Sequence, residues 1–427
     1  MVSAFKRSLS VGRRSLTSPR FSSAVSHHRK WWSSASPSDL ALIFALASAF
    51  FLSGLYIFHT YSASAAIDVV EVGEPSIDAD PVEIGSCDLF DGSWTSSNRR
   101  RPIYNGSECP FVERGFDCVG NGRRDTDYLS YTWKPRRCEV PPFEARAVLQ
   151  RLRGKRVTFV GDSMGRTQWE SLVCMLMAGV GDKSTVREIY GNSITKTIRF
   201  LGVKFGSVDL RVDFYRSVFL VRQGRSPRHG PRRVKSTLRL DQMDEISGNW
   251  ADSDVIVFNS GHWWTPGKLF DASEISFSDR GCYFQVGGAL KLGMPIPAAF
   301  REALDTWASW VERTINFNRT RVFFRSFEPS HWSDVDQKGC EVTRHPMPEP
   351  KGNIHTELSD VISEVVGKMR APVTLLNVTL MGAFRGDAHI GTWSYPPSVL
   401  DCSHWCLPGV PDSWNELIFS YLLMNGS

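Results

Sequence analysis

The sequence predicts an α/β domain in which helices cover a largely parallel sheet. Three observations carry that expectation. Short β-branched or aromatic runs recur at residues 156–160, 254–258, 321–325 and 373–377, each apolar enough for a strand buried on both faces. Helical stretches at 166–178, 297–315 and 353–369 separate them, the last two with apolar residues at mixed three- and four-residue intervals. Strand and helix therefore alternate, which is the pattern of layered α/β folds. The 427 residues, 42% hydrophobic and 22% charged, hold ample material for such a core and exclude wholesale disorder.

The chain ahead of this domain reads differently. Residues 1–39 carry seven Lys or Arg against one acid, so the overall charge of +5 belongs to this tail. The remainder is close to neutral, and no nucleic-acid partner is expected. Residues 40–58 run for nineteen positions without a charge, and at 1.5 Å each a helix there spans roughly 28 Å, one hydrocarbon core. Residues 59–85 then contain six acids and no base, which by the positive-inside bias leaves the tail cytosolic and the body lumenal. The expected organisation is a cytosolic tail (1–39), a transmembrane anchor (40–58) and a lumenal stem (59–85). A cleaved signal peptide is the competing reading, but both the charged region and the apolar run are too long for one. Exposure to an oxidising, glycosylating lumen agrees with sequons at Asn105, Asn318 and Asn377, and with nine cysteines that all follow residue 86. Nine is odd, and spacing alone does not choose the pairs.

Residues 86–140 hold four cysteines among Gly, Asn, Arg and aromatics with little periodicity, and are expected to form a disulfide-stapled lobe. Residues 141–427 are expected to form the main domain. Within it, 195–221 alternates polar and apolar residues and reads as antiparallel edge strands. Residues 222–235, with five Arg, one Lys, His229 and no acid, read as a solvated loop able to meet an anionic polymer.

Chemistry concentrates at two places. The strand at 156–160 runs into Gly161-Asp162-Ser163-Met164-Gly165, then a helix. A serine at such a turn projects its Oγ from the carboxyl edge of the sheet, with its N–H at a helix N-terminus where an oxyanion is favoured. The spacing also fits the nucleophile elbow of α/β-hydrolases. However, the serine follows what reads as the first strand of the sheet, and no HGGG-type stretch precedes it. Near the C-terminus, Asp401-Cys402-Ser403-His404 sets a carboxylate three residues ahead of an imidazole, so that in a turn or helical start the two share a face. Aspartate then fixes the imidazole tautomer and the other ring nitrogen takes the serine proton. Cys402, His404 and Cys406 also have metal-ligand spacing, but cysteines in an oxidising lumen are more simply disulfides, and no metal is expected. Asp162 and Arg166 are expected to brace the turn, and Arg325 and His331 to be structural. His262, Trp263 and Trp264 follow the strand at 254–258, where indole faces could stack on pyranose rings, and Trp405 adjoins the histidine.

These residues resemble the plant trichome birefringence-like proteins. The shared motifs are Cys87-Asp88-Leu89-Phe90-Asp91-Gly92-Ser93-Trp94, Cys109-Pro110-Phe111, Phe116-Asp117-Cys118 with Asn121-Gly122-Arg123, and Trp133-Lys134-Pro135. To these are added the Gly-Asp-Ser block, Phe258-Asn259-Ser260-Gly261-His262-Trp263-Trp264, and Asp401-Cys402-Ser403-His404-Trp405-Cys406-Leu407-Pro408-Gly409. The likeness covers residues 86–427. One departure is Ser207-Val208-Asp209-Leu210, where the family commonly has Tyr-Asn and a nearby Thr.

The resemblance implies a Golgi polysaccharide O-acetyltransferase with an SGNH/GDSL-like three-layer α/β/α fold. In it Ser163 accepts the acetyl group, His404 is base and then acid, and Asp401 orients it. It further implies a Gly and an Asn as oxyanion donors, for which Gly191 and Asn259 are the candidates. It also implies disulfides Cys87–Cys138, Cys109–Cys174, Cys118–Cys406 and Cys340–Cys402, leaving Cys282 as the odd thiol and expected to be alkylatable. The expected acceptor is a cell-wall polysaccharide, whether xylan, mannan, xyloglucan or pectin. The expected acetyl donor is acetyl-CoA or another acetyl carrier acting as co-substrate, with no bound cofactor. A carbohydrate acetylesterase with the same triad is the alternative. A non-catalytic polysaccharide binder would predict an incomplete triad.

Overall fold

In the computed structural model the described residues are Ser53 and 87–424, apart from 97–101, 196–197, 226, 271–280, 334–338, 341–342, 352–355 and 398. The anchor expected at 40–58 thus lies outside them. No helix among the described residues is long and apolar enough to cross a membrane.

The central sheet is built on β3 (Arg156–Gly161), a run too apolar to face water on either side. Before it come β1 (Gly92–Ser96), β2 (Tyr131–Pro135) and α1 (Ala145–Arg151). After it follow α2 (Ser163–Met177), β4 (Val186–Glu188), β5 (Phe200–Phe205), β6 (Leu210–Arg216), β7 (Val221–Arg225), β8 (Ser236–Met243) and β9 (Val255–Phe258). The chain continues through α3 (Pro266–Leu269), β10 (Cys282–Val286), β11 (Ala289–Lys291), α4 (Ile296–Thr314), β12 (Arg321–Arg325), α5 (Glu357–Lys368) and β13 (Val373–Leu376). It closes with α6 (Thr379–Ala383), β14 (His389–Gly391), β15 (Asp401–Trp405) and α7 (Val410–Met424).

Seven strands pair in the order β13-β12-β9-β3-β6-β5-β4, the first five parallel and the last two antiparallel, which puts β3 at the centre. The period of two is visible in the burial. Val157 and Phe159, Val255 and Val257, and Phe323 pack on one face with α2 and α7. Val160, Ile256, Phe258, Val322 and Phe324 pack on the other with α4 and α5. The sheet is therefore the middle of three layers.

Three sequence expectations are corrected here. The segment 195–221 was expected wholly at an antiparallel edge, but β6 is interior and parallel to β3, because Val212 and Phe214 are buried on a sheet face. The basic segment at 222–235 is not all loop. Its start is β7, paired to β8 in a second, four-stranded sheet ordered β11-β10-β8-β7, which packs on α4 through Leu238, Leu240 and Phe284. Cys282 lies in β10 at 2% exposure, so the alkylation expected of it in the native state is blocked by packing.

The cysteine-rich lobe adds the β1–β2 ribbon, pinned by an edge-on Trp94–Trp133 contact at 5.6 Å. Among the described residues it has no core of its own. Leu89, Phe111, Phe116, Tyr128 and Trp133 join the same cluster as Leu172 of α2 and Trp414 of α7. The disulfides are Cys87–Cys138, Cys109–Cys174, Cys118–Cys406 and Cys340–Cys402.

Candidate active site

Ser163 owes its position to the central strand. At the end of β3 the chain turns through Asp162, whose Oδ1 accepts from the Met164 N–H at 2.9 Å and caps α2. Ser163 is the first residue of that helix, so its own N–H has no intrahelical acceptor and stands at the positive end of fifteen aligned peptides. Glycine is required on both sides of the serine. A Cβ at Gly161 would sit 2.0 Å from Asn259 Oδ1 and 2.5 Å from its carbonyl oxygen, and one at Gly165 would sit 2.1 Å from the same amide oxygen. Asn259, just past β9, thus lies against the turn, and its Nδ2 donates to Asp162 Oδ1 at 2.6 Å. One turn along α2, Arg166 pairs with Glu170 at 2.7 Å in a fully buried contact and donates to the Thr195 carbonyl. Burial pushes the Glu170 carboxyl up to about 7 in spite of Arg166.

His404 comes from the other end of the chain. Its Nε2 stands 2.7 Å from Ser163 Oγ, and its Nδ1 stands 2.8 and 3.1 Å from the two oxygens of Asp401. Because the carboxylate only accepts, Nδ1 carries the proton and Nε2 accepts from the serine hydroxyl. The element holding these two residues corrects the expected turn or helical start. Asp401–Trp405 is a strand, and in a regular strand positions i and i+3 point to opposite faces. Here β15 is bulged against β14: Asp401 pairs with Gly391 and Trp405 with His389, so three residues oppose one. Asp401 Oδ1 accepts from the N–H groups of Ser403 and His404 at 3.1 and 2.9 Å, folding the bulge around the carboxylate. Burial alone would push the Asp401 carboxyl up. The positive charge His404 carries when it is protonated, its ring N–H and these two backbone N–H groups outweigh that and hold it well below the usual carboxylate range. Cys402 and Cys406 flank the histidine, tied to Cys340 and Cys118, so neither sulfur is a thiolate available to a metal.

Residues 140–421 match the GDSL/SGNH-like acyl-esterase family found in Pmr5 and Cas1p, and residues 85–139 match the PMR5 N-terminal domain. Among relatives, trichome birefringence-like 7 of Arabidopsis thaliana is 58% identical over 336 residues, covering 79% of this chain and 73% of that protein. Trichome birefringence-like 6 of the same plant is 38% identical over 349 residues (80% and 71%), and the trichome birefringence protein itself 34% over 373 residues (84% and 60%). The chain belongs to the trichome birefringence-like family. Its main domain is accordingly of the acyl-esterase or acyltransferase kind, and the Ser163–His404–Asp401 chain is an arrangement that can carry an acyl group on oxygen.

Other candidates in this family member are scattered. Trp264 is corrected from a sugar platform to a core residue. It is 2% exposed, bonds Ser260 Oγ through Nε1, and is enclosed by Phe219, Phe284 and Phe300, so no substrate ring reaches it. Trp405 is corrected likewise. It is fully buried, with one face stacked on His389 at 3.9 Å. Trp263 stays half-buried between Arg216 and Lys268, whose charges lie 5.1 and 5.4 Å from its ring. His262 stacks on Phe327 at 4.2 Å and places Nδ1 3.8 Å from Asp162 Oδ2, next to the nucleophile turn. Gly191 is exposed with φ +73° in a turn closed by Glu188, which accepts from Tyr190 and Asn192 N–H. That turn leaves β4, three strands from β3, and no described contact joins Gly191 to Ser163.

Three residues at the site escaped the sequence reading. Phe116 lies 5.7 Å from the His404 ring, and its carbonyl accepts from Leu407 N–H at 2.8 Å. Arg123 is buried and donates to the carbonyls of Asp387 and His389. His389 donates to the His404 carbonyl at 3.0 Å. Phe116 and Arg123 stand in motifs already singled out, but nothing local in the sequence marks His389. Asn105, Asn318 and Asn377 are all exposed.

Proposed function

We propose that this protein is a Golgi-anchored O-acetyltransferase that moves acetyl groups onto hydroxyls of a cell-wall polysaccharide. The observation that carries the proposal is the Ser163–His404–Asp401 hydrogen-bonded chain at 2.7 and 2.8 Å in a trichome birefringence-like protein. In the first half-reaction Ser163 Oγ attacks the donor's acetyl carbonyl while His404 Nε2 takes its proton. The donor, acetyl-CoA or another acetyl carrier, leaves with that proton. In the second, a sugar hydroxyl gives its proton to Nε2 and attacks acetyl-Ser163, releasing the acetylated sugar and free serine. Asp401 holds the imidazole in the required tautomer throughout, and the Ser163 N–H at the α2 N-terminus faces the charge that develops on the carbonyl oxygen. The apolar segment at 40–58 supports a type II membrane anchor, and the exposed sequons support a lumenal body carrying N-linked glycans.

Water in place of the sugar hydroxyl gives an esterase, a reading favoured by the acyl-esterase description of the matched family. Transfer wins where the acceptor is held near the acyl-serine and water is kept out. Trp263, half-buried and next in the chain to His262 beside the nucleophile turn, is our candidate for holding a pyranose there. The test is to incubate the purified protein with labelled acetyl donors and a panel of deacetylated polymers, following label in polymer and in free acetate. Faster label entry into one polymer than into acetate is expected, with Trp263→Ala shifting the ratio toward acetate. Acetate release at one rate with and without every polymer, together with deacetylation of acetylated polymer, would replace the transferase by the esterase.

A further inference from the structure

Behind the triad lies a pair of buried histidines. His331 Nδ1 is 2.7 Å from His389 Nε2, His331 Nε2 is 3.2 Å from the Ala383 carbonyl oxygen, and His389 Nδ1 is 3.0 Å from the carbonyl oxygen of His404. Both rings are nearly inaccessible to water. The two carbonyls can only accept, so His389 Nδ1 and His331 Nε2 must each carry a proton. The contact between the rings needs a third. With His389 protonated on Nδ1 and neutral, its Nε2 is a lone pair, so the third proton sits on His331 Nδ1. Three hydrogen bonds thus require three protons on two imidazoles, which is one positive charge.

We propose that His331 and His389 form a buried dyad sharing a single positive charge, and that it is a positioning element for the catalytic base: it clamps the His404 carbonyl and lowers the basicity of the His404 ring. This rests on His404 being the base. Removing the third proton would set two lone pairs against each other in a dry site, the costly outcome for buried polar groups. The charge has compensation. Trp405 stacks on His389 at 3.9 Å and lies in a T-shaped arrangement with His331 at 6.5 Å, and the Asp401 carboxylate acts on His389 from β15. Other charged groups recorded against His389 are His404 on β15 and Arg123 from the N-terminal lobe, which donates to the His389 carbonyl; the Arg385–Asp387 pair stands just ahead of β14 in the chain. Burial, then the charge of His331, pushes the His389 imidazole down to about 3, in keeping with a neutral His389 ring that carries its proton on Nδ1. A fixed cation beside His404 keeps its Nε2 bare in mildly acidic surroundings, where an ordinary histidine would be largely protonated.

Nuclear magnetic resonance of the full chain with isotopically labelled histidine reads the charge directly and independently of any acceptor. At about pH 7.5, where an unperturbed imidazole is mostly neutral, one histidine with both ring nitrogens protonated is expected, and it should be missing from His331→Gln. Absence of a charged histidine in the native protein would overturn the dyad, and so would its persistence in His331→Gln. The second arm follows p-nitrophenol release from p-nitrophenyl acetate against pH. His331→Gln should move the acidic limb up by about one pH unit, whereas a uniform loss at every pH with the limb unmoved would reduce the pair to a structural role. Should the variant fail to fold, the native spectrum alone still decides. A native enzyme that releases no p-nitrophenol would count against the acyl-serine reading and not against the dyad.

Discussion

At the scale of single residues, Ser163, His404 and Asp401 act as one unit, because each hydrogen bond in the chain sets the proton position in the next. Ser163→Ala and His404→Ala are expected to remove acyl transfer by about 10⁴-fold or more, with thermal unfolding unchanged. Asp401→Asn is expected to be similarly impaired. Its amide can present an N–H to Nδ1, which puts the histidine proton on Nε2 where it cannot accept from serine. The measurement is turnover together with melting temperature, and a variant retaining a tenth of native turnover would remove the residue from the mechanism. Glu170 gives a pH test of stability. Its folded carboxyl titrates near 7 and its unfolded one near 4.5. A raised acid binds its proton more tightly when folded, so its contribution is fully present below about pH 4.5, declines as pH rises and is lost above about 7. Glu170→Gln stays neutral, so the melting temperature of native protein relative to this variant should fall from pH 5 to pH 8, and a constant difference would contradict the assignment.

At the scale of elements, the decisive junctions are β3 into α2 and the bulge of β15. The first works because Gly161 and Gly165 leave room for the Asn259 amide between them. Gly161→Ala is expected to push Asn259 off Asp162, destabilise the domain by about 2 kcal/mol or more and lower turnover. Both are read by chemical denaturation and initial rates, and native stability in the variant would show that Asn259 moves freely. The bulge matters because it converts two residues that a regular strand would separate into a bonded pair.

At the scale of the whole molecule, the two halves of the site come from residues 161–165 and 401–406, and the disulfides join them to the lobe between. Cys118–Cys406 links residues 288 positions apart and enters the lobe two residues from Phe116, which touches His404. Replacing both cysteines by serine should lower stability by about 2–5 kcal/mol and lower turnover beyond what the stability change explains, because the His404 support loosens. A double variant with native turnover at a temperature where it is folded would limit the disulfide to stability.

The sequence alone determined the alternation of strand and helix, because a strand buried on both faces must be apolar throughout and a covering helix must show the 3.6-residue period. It also determined the serine turn, since glycine, a capping aspartate and a helix start are local requirements. Asp401 and His404 were legible as a pair for the same local reason, though through the wrong backbone geometry. Only the tertiary structure decided what depends on packing at a distance. Trp263 and Trp264 are adjacent and chemically identical, yet one is half-buried between cations and the other sealed under Phe284 and Phe300. The place of β6 inside the sheet, the burial of Cys282, and the line from His331 through His389 to the His404 carbonyl join segments far apart in the chain. Local patterns record what each residue prefers, whereas burial and long-range hydrogen bonds are properties of the surface each residue meets after the chain has closed on itself.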